Sequence, residues 1–311
     1  MIEMKHLTKT FKDNISVNQL SLVIQPGVVT GFLGPNGAGK STTMKMILGL
    51  MNPSRGSVTI DGQAYKDLKL PISKVGALIN GDAVNPKLTA KQHLEILASA
   101  SGISKKRVDS MLMETGLENV KDKPIGTFSL GMKQRLGIAA ALLGDPETVI
   151  LDEPFNGLDV DGIHWLRKLA KKLAREGKAV LVSSHLMSEM QMIADRMIIL
   201  AQGKLIADMT IDELAQNSLG SFVKVKCEDN HKLQRLLAAK GAEVKQVKND
   251  VLQVYQLDIK QIGLTAKEGQ LALYELTKVQ PSLEQLFVEL TEGKADYVST
   301  DNLMAEGRES E

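Results

Sequence analysis

A glycine-rich turn, GPNGAGKS at residues 34–41, constrains the fold more than any other stretch of this chain. It follows a short apolar run, VVTGFLG, and it precedes STTMKMILGL, whose apolar residues recur at helical spacing. Glycines let backbone N–H groups turn inward around phosphate oxygens, and the helix that follows adds its positive N-terminal end. The pattern G-x-x-x-x-G-K-[ST] therefore predicts a phosphate-binding loop between a buried strand and a helix.

Three side chains at the end of this loop have expected contacts with a nucleotide. Lys40 can reach the β- and γ-phosphates, the Ser41 hydroxyl can bind Mg²⁺, and Thr42 is placed to touch the α-phosphate. The alternative is a plain glycine-rich turn between a strand and a helix. That alternative leaves the Lys-Ser pair unexplained.

The rest of the chain alternates strand and helix patterns, which implies a mostly parallel sheet with helices on both faces. MIEMKHLTKTF and SVNQLSLVIQPG read as strands, as do SVTIDG, TVILD, AVLVSS and MIILAQGKL. Helical patterns cover 161–177 and 186–196, and a run of them at 86–145 predicts a helical subdomain inserted into the α/β core.

We expect three parts along the chain. Residues 1–215 form the nucleotide-binding domain, 216–291 form a small α+β accessory domain, and 292–311 have the composition of a disordered tail. Within the accessory part, FVKVKCE, VLQVYQL and LALYELTKV alternate as strands do. HKLQRLLAAKG and PSLEQLFVELTEG read as helices.

Composition excludes several classes of protein. The 38 basic and 37 acidic residues leave a net charge of +1, which gives no long-range attraction to nucleic acid or to an anionic membrane. One cysteine, Cys227, excludes an internal disulfide framework, and we expect it to be buried. No apolar run reaches the roughly 18 residues that a membrane span needs, and no signal peptide is visible. We therefore expect a cytoplasmic chain whose work at a membrane requires another chain to cross it.

The stretch VILDEP supplies two acids at the end of a buried strand. Asp152 is expected to bind Mg²⁺ directly or through water, and Glu153 to orient and deprotonate an attacking water. His185 ends the next strand, where a parallel sheet gathers its ligands, and we expect it to contact the γ-phosphate.

A second glycine-containing turn, FSLGM, opens a helix almost ninety residues after the first. Ser129, Leu130 and Gly131 present backbone amides and a hydroxyl, which makes a second anion site. Because this turn belongs to the inserted helical lobe, two chains arranged head to tail would bring it to the other chain's phosphate loop. The alternative is an ordinary helix with Ser129 as its N-cap.

With these motifs in order, the chain resembles an ATP-binding-cassette nucleotide-binding subunit over about residues 1–215. GPNGAGKST resembles the Walker A motif, FSLGMKQR the signature, VILDEP the Walker B motif, NGLD the D-loop and SSH the switch histidine. The resemblance implies ATP and Mg²⁺ as ligands and a homodimer or paired cassette in the ATP state. It also implies that Phe11 stacks on adenine, although on sequence alone Phe11 can equally be a core residue.

Further segments of the sequence resemble those of the ATPases of bacitracin- and lantibiotic-type exporters. These segments are DEPFNGLDVDGI, SSHLMSEM and PSLEQLFVELTEG, together with FSLGMKQRLGIAAALL. That branch implies a separate integral membrane permease and no nucleic-acid partner. An importer ATPase or a soluble cassette protein acting on ribosomes or DNA remains an alternative. The lack of a second cassette, of heptads and of zinc modules is atypical of the soluble class.

Two positions depart from the family pattern. The usual Ser-Gly-Gly-Gln of the signature is Ser-Leu-Gly-Met here, a form common in this branch. Asn80 stands where the family has Gln or Glu, at a position that bridges Mg²⁺, the attacking water and the membrane subunit. Asn80 either still binds through water with weaker coupling or is a plain loop residue.

The expected site residues fall into five groups. The catalytic residues are Glu153, His185 and Lys40. The ATP-binding residues are Phe11, Gly34, Pro35, Asn36, Gly37, Ala38, Gly39, Lys40, Ser41 and Thr42. The signature residues, which contact the partner's ATP, are Ser129, Leu130, Gly131 and Met132. The D-loop residues are Asn156, Gly157, Leu158 and Asp159. The Mg²⁺-binding residues are Ser41, Asp152 and Asn80.

Overall fold

The computed structural model describes residues 1–12, 14–79, 81, 84–211, 213, 222–247 and 251–279. These residues belong to two compact units, the first running from Met1 to Ile211 and the second lying between Asp212 and Glu289. The predicted helix at 281–293 and the tail at 292–311 lie outside the described residues.

The first unit alternates strands and helices along the chain. Its strands are β1 (Ile2–Phe11), β2 (Asn14–Ile24), β3 (Val29–Leu33), β4 (Arg55–Ile60), β5 (Val75–Leu78), β6 (Thr148–Leu151), β7 (Ala179–Ser184), β8 (Arg196–Ala201) and β9 (Lys204–Thr210). Its helices are α1 (Lys40–Ile47), α2 (Pro71–Lys74), α3 (Ala90–Ala100), α4 (Lys105–Glu114), α5 (Leu130–Leu142), α6 (Val160–Arg175) and α7 (Met187–Ile193).

A six-stranded sheet in the order β5-β6-β7-β3-β8-β9 forms the centre of this unit. All neighbours in it are parallel except β8 and β9. Strands β3, β6 and β7 are buried along their whole length, which is why their sequences read as nearly continuous apolar runs. A separate antiparallel sheet in the order β2-β1-β4 accompanies it.

The register of the parallel strands brings the predicted motifs to one edge of the sheet. Leu33 pairs with Ser184 across β3 and β7, and Leu151 pairs with Val182 across β6 and β7. The glycine loop after β3, the acids after β6 and the histidine after β7 therefore leave the sheet side by side. Ligands of α/β sheets bind at this carboxyl edge.

Two parts of this unit differ from the sequence prediction. MIILAQGKL was predicted as one strand, which is wrong, because Gln202 (φ 47°) and Gly203 (φ 71°) make a tight turn that separates β8 from β9. Two successive residues at positive φ are the signature of a short hairpin turn. Strand β5 and the four-residue α2 were not predicted, because both are too short to show a period.

The stretch at 86–145, which was predicted to be helical, contains α3, α4 and α5. Thr89 caps α3 with a reciprocal pair of hydrogen bonds to Gln92, a capping box that fixes where the helix begins. Among the described residues, none of the helices combines the length and apolar character needed to cross a membrane.

The second unit is a small α+β fold with its own core. Its elements are β10 (Phe222–Cys227), α8 (Asn230–Ala239), β11 (Glu243–Val247), β12 (Val251–Tyr255), α9 (Ile259–Glu268) and β13 (Leu273–Val279). The strands form an antiparallel sheet in the order β11-β12-β10-β13, so that the βαββαβ sequence has the ferredoxin-like arrangement. Cys227 is buried in its core, as predicted.

Candidate functional site

The glycine loop has a backbone that only glycine can adopt at its tightest points. Gly37 and Gly39 have φ of 86° and 97°, in the left-handed region that other residues rarely enter. A Cβ on Gly39 would lie 2.5 Å from the Ser16 carbonyl oxygen, and one on Gly34 would lie 2.5 Å from the Leu200 carbonyl oxygen. Glycine is therefore required at these positions, and the loop leads into the first turn of α1, where backbone amides can bind an anion.

Lys40, the first residue of α1, points its ammonium back into this loop. Its Nζ donates to the Gly34 carbonyl at 2.6 Å and to the Pro35 carbonyl at 3.3 Å, and it lies 3.8 Å from Glu153 Oε1. Burial lowers the pKa of Lys40, and the nearby carboxylates of Glu153 and Asp152 oppose that shift.

A cavity of about 190 Å³ lies over the loop, and a terminal phosphate of a nucleotide fits its chemistry. It is lined by Ser16, Pro35, Asn36, Gly37, Ala38, Gly39, Lys40, Ser41, Thr42 and Glu153. Ser16 was missed by the sequence reasoning. Its hydroxyl donates to Thr42 Oγ1 at 3.1 Å, so that it fixes a side chain expected to touch the α-phosphate.

The two acids after β6 are held by one serine of β7. Ser183 Oγ donates to Asp152 Oδ1 at 2.5 Å and accepts from the Glu153 amide at 2.9 Å. Asp152 is 9% exposed and Ser183 is fully buried. Sequence reasoning quoted Ser183 only as part of SSH, although a hydroxyl in an otherwise apolar buried strand was an available signal.

The side chain of His185 contacts Glu153. Its Nδ1 lies 2.7 Å from Glu153 Oε2, and its backbone amide donates to the same oxygen at 3.3 Å. Together with Lys40, this contact places the Glu153 carboxylate between the glycine loop and the end of β7. The predicted contact of His185 with a γ-phosphate stays a prediction.

The predicted signature turn and D-loop pack against each other within one chain. Ser129 caps α5 by accepting from the Met132 amide at 3.2 Å, as the N-cap alternative predicted. A Cβ on Gly131 would lie 2.6 Å from the Gly157 carbonyl oxygen, and Gly157 itself has a φ of 75°. The side chain of Leu130 lies over Gly157 and is still 47% exposed.

The predicted D-loop connects the acids to α6. The Asn156 amide donates to the Glu153 carbonyl at 3.2 Å, and the Leu158 amide donates to the Phe155 carbonyl at 3.2 Å. Asp159 ends the loop as the N-cap of α6, where its Oδ1 accepts from the Gly162 amide at 2.8 Å.

A side chain of α5 also contacts this region and was missed from sequence. Gln134 is buried, and its Nε2 donates to the Glu153 carbonyl at 3.4 Å, a long hydrogen bond. Gln134 therefore connects the helix of the signature turn to the backbone of the second acid.

Of the two remaining predicted site residues, the structure describes Phe11 but not Asn80. Phe11 is 45% exposed at the end of β1, so the interpretation of Phe11 as a core residue is wrong. The Lys9 ammonium lies 5.2 Å from the centre of its ring. Asn80 lies outside the described residues.

Oxygen ligands suited to Mg²⁺ are present at the loop. Ser41 follows Lys40 in α1, and the Asp152 carboxylate lies at the same sheet edge. No group of three His, Cys, Asp or Glu side chains that could hold a metal occurs among the described residues. Mg²⁺ at a phosphate site needs no such group, because it binds through one or two protein oxygens together with phosphates and water.

Two family models match the chain. The model described as ABC transporter matches residues 17–156. A model described as a domain of unknown function matches residues 221–284.

Curated relatives match over nearly the whole length. An uncharacterized ABC transporter ATP-binding protein, YhcH of Bacillus subtilis (strain 168), is 39% identical over 94% of this chain and 96% of its own. The bacitracin transport ATP-binding protein BcrA of Bacillus licheniformis is 36% identical over 94% of this chain and 98% of its own. The lantibiotic transport ATP-binding protein SrtF of Streptococcus pyogenes is 35% identical over 68% of this chain and 92% of its own.

Solved structures of a bacterial ABC transporter cassette have the same fold. A dimeric form is 30% identical to this chain with a TM-score of 0.63, covering 68% of this chain and 99% of the cassette. A dimeric post-hydrolysis form of that cassette, bound to ADP and phosphate, is 29% identical with a TM-score of 0.63 over the same shares.

Proposed function

This chain belongs to the family of ABC transporter ATP-binding proteins, which are ATPases, and on that premise we propose that two copies close head to tail over two ATP molecules. Each copy holds one ATP on its glycine loop and presses its signature turn, 129–132, onto the ATP held by the other. The closing and opening of this dimer drive a separate membrane permease.

The observation that supports the proposal is that the signature residues do not line the loop cavity of their own chain. Among the described residues, the lining of the loop cavity includes none of the signature residues. Ser129 and Leu130 are exposed, and Ser129 opens a 13-residue helix whose first amides can bind an anion. A surface of this kind fits the phosphates of a nucleotide bound to a second copy.

The proposed chemistry assigns one role to each residue around the loop. Lys40 and the loop amides hold the phosphates and stabilise negative charge that develops as the terminal phosphate is cleaved. Glu153 accepts a proton from the water that attacks the γ-phosphorus, while the bond to the β–γ bridging oxygen breaks and ADP leaves. His185 holds the Glu153 carboxylate through its Nδ1.

Mg²⁺ is the expected cofactor of this site. The Ser41 hydroxyl and the Asp152 carboxylate are the residues that would hold it. When bound, Mg²⁺ neutralises charge on the phosphate oxygens.

The dimer is tested with the variant Glu153→Gln. We expect it to bind ATP, to lose hydrolysis, and to elute from gel filtration as a long-lived dimer when ATP and Mg²⁺ are present. Adding Ser129→Arg to this variant should leave ATP binding intact but return the protein to a monomer. Ser99→Arg, at an exposed position of α3, is the matched control and should leave the dimer in place. A Glu153→Gln protein that stays monomeric, or that hydrolyses ATP at the normal rate, contradicts the proposal.

For the permease, we propose a site on the helical lobe. A cavity of about 510 Å³ is lined by Leu88, Gln92, Glu95, Ile96, Ser99 and Lys105, and the Ile96 side chain is 55% exposed. On this proposal the chain lies at the inner face of the cell membrane, held there by the permease.

For the exported substrate, we propose a peptide antibiotic, since relatives are named for bacitracin and lantibiotic transport. Cells that express this chain with its permease should tolerate more bacitracin or lantibiotic than cells with Lys40→Ala. Equal sensitivity of the two strains to both classes of compound would refute this substrate.

A further inference from the structure

We propose that Ser183 is a positioning residue that holds both Walker B acids, Asp152 and Glu153, in their working geometry. The inference rests on the proposed function, since it assigns a purpose to the same site. It concerns a residue on a neighbouring strand that does not line the loop cavity.

The geometry makes one hydroxyl the link between the two acids. Ser183 Oγ donates its hydrogen to Asp152 Oδ1 at 2.5 Å and accepts from the Glu153 N–H at 2.9 Å. A serine hydroxyl has a single hydrogen to donate, so the bond from the Glu153 amide leaves that hydrogen directed at Asp152. Ser183 is fully buried, so its hydroxyl links the two acids from inside the sheet.

The backbone of Glu153 explains why such a link is needed. Glu153 has a φ of 48°, in the left-handed region that side-chain-bearing residues enter at a cost. The hydrogen bond from its amide to Ser183 stabilises that conformation. The same conformation sends the Glu153 carboxylate towards Lys40 and His185.

Asp152 depends on the same hydroxyl for a different reason. Its side chain is buried, and a buried carboxylate needs hydrogen bonds to compensate for the water contacts that it loses. The bond to Ser183 fixes one oxygen of the carboxylate, which sets the direction in which the group can face a metal. Residues that orient metal ligands in this way typically change metal affinity or activity by about 10- to 100-fold when removed.

The test compares Ser183→Ala, Ser183→Thr and a control, Thr148→Val, in the full chain. Thr148 lies on β6, is also fully buried, and its hydroxyl has no hydrogen-bond partner among the residues that the structure describes. The control therefore removes a buried hydroxyl that makes no hydrogen bond to the described residues, the two acids included. The measurements are kcat and KM for ATP, the Mg²⁺ concentration that gives half-maximal activity, the affinity for a fluorescent ATP analogue with and without Mg²⁺, and the melting temperature.

We expect Ser183→Ala to lower kcat by about tenfold or more and to raise the half-saturating Mg²⁺ concentration by a similar factor. Its affinity for the ATP analogue without Mg²⁺ should match that of the wild type, because the glycine loop and Lys40 are intact. The gain in analogue affinity on adding Mg²⁺ should shrink. Ser183→Thr should restore both kcat and the Mg²⁺ dependence, and Thr148→Val should behave as the wild type.

Two results would overturn the proposal. One is a Ser183→Ala variant with a lower melting temperature but normal kcat and normal Mg²⁺ dependence, which would make the role purely structural. The other is an equal loss in Ser183→Ala and Ser183→Thr, which would show that the hydroxyl is not the cause. Failure of the proposed function is seen separately, in whether Glu153→Gln forms the ATP-dependent dimer.

Discussion

At the scale of single residues, Glu153 has contacts with three different parts of the first unit. Lys40 and His185 approach its carboxylate, while Ser183 and Gln134 bind its backbone. These partners come from the glycine loop, from β7 and its end, and from α5. A substitution in any of these elements is therefore expected to alter the position of Glu153, the residue expected to activate water.

Phe11 is the predicted site residue whose role a single substitution can test most directly. Because its side chain is 45% exposed, Phe11→Ala should change the free energy of unfolding by less than about 0.5 kcal/mol. If Phe11 stacks on adenine, the same change should weaken ATP binding by roughly fivefold to tenfold, as expected for an aromatic contact of about 1 kcal/mol. Titration with a fluorescent ATP analogue measures this loss.

Two comparisons isolate the adenine contact. Binding of tripolyphosphate, which has no base, should be equal in Phe11→Ala and the wild type. Leu50→Ala, which truncates another exposed apolar side chain, should leave ATP affinity unchanged. A Phe11→Ala protein with normal ATP affinity would exclude the stacking role.

At the scale of elements, the sequence could predict the features that follow from local rules. The glycine loop, the serine at the start of α5 and the apolar strands β3, β6 and β7 all carry their signal within a few residues. The contacts of Ser183 could not be predicted from the local sequence. Its partners are 31 and 30 residues away, and only the pairing of β6 with β7 brings them together.

The elements that the sequence prediction missed have physical reasons of their own. Strand β11 is mostly exposed and carries Glu243, Lys245 and Gln246, so that it has no clear alternation of apolar residues. In the first unit, β9 follows β8 after a two-residue turn without proline, so the sequence pattern predicts a single strand there. The ferredoxin-like order of the second unit depends on pairings between strands that are far apart in the sequence, such as Phe222 with Val279.

Asp159 provides a prediction about an element, because it belongs to the predicted D-loop and also caps α6. Loss of its hydrogen bond to the Gly162 amide in Asp159→Ala should lower the free energy of unfolding by about 1 kcal/mol. Asp159→Asn keeps an oxygen acceptor at the N-cap and should retain most of that stability. Urea denaturation followed by circular dichroism measures both values.

The pair of variants also separates the two roles of Asp159. If the carboxylate has a role in the ATP-bound dimer, Asp159→Asn should lose ATPase activity while keeping its stability. Activity that follows stability in both variants would mean that Asp159 serves only as a helix cap.

At the scale of the whole molecule, each of the two units has a hydrophobic core among its described residues. One lies in the first unit around Phe32, Ile150 and Leu181, and the other lies in the second unit around Val225 and Leu252. The elements that carry the candidate site all belong to the first unit. The second unit contains its own sheet and helices, and its family model is described as a domain of unknown function.

These two cores predict separate responses to cavity-creating substitutions. Leu252→Ala, at a fully buried position of β12, should destabilise the second unit by about 2–5 kcal/mol and leave ATP affinity unchanged. Leu181→Ala, at a fully buried position of β7, should cost a similar amount in the first unit and weaken ATP binding, because β7 carries Ser183 and leads to His185.

Calorimetry with and without ATP distinguishes the units, since a ligand raises the melting temperature only of the part that binds it. ATP should therefore shift the transition lowered by Leu181→Ala and not the one lowered by Leu252→Ala. A single transition that both substitutions lower and ATP raises would show that the two units unfold together.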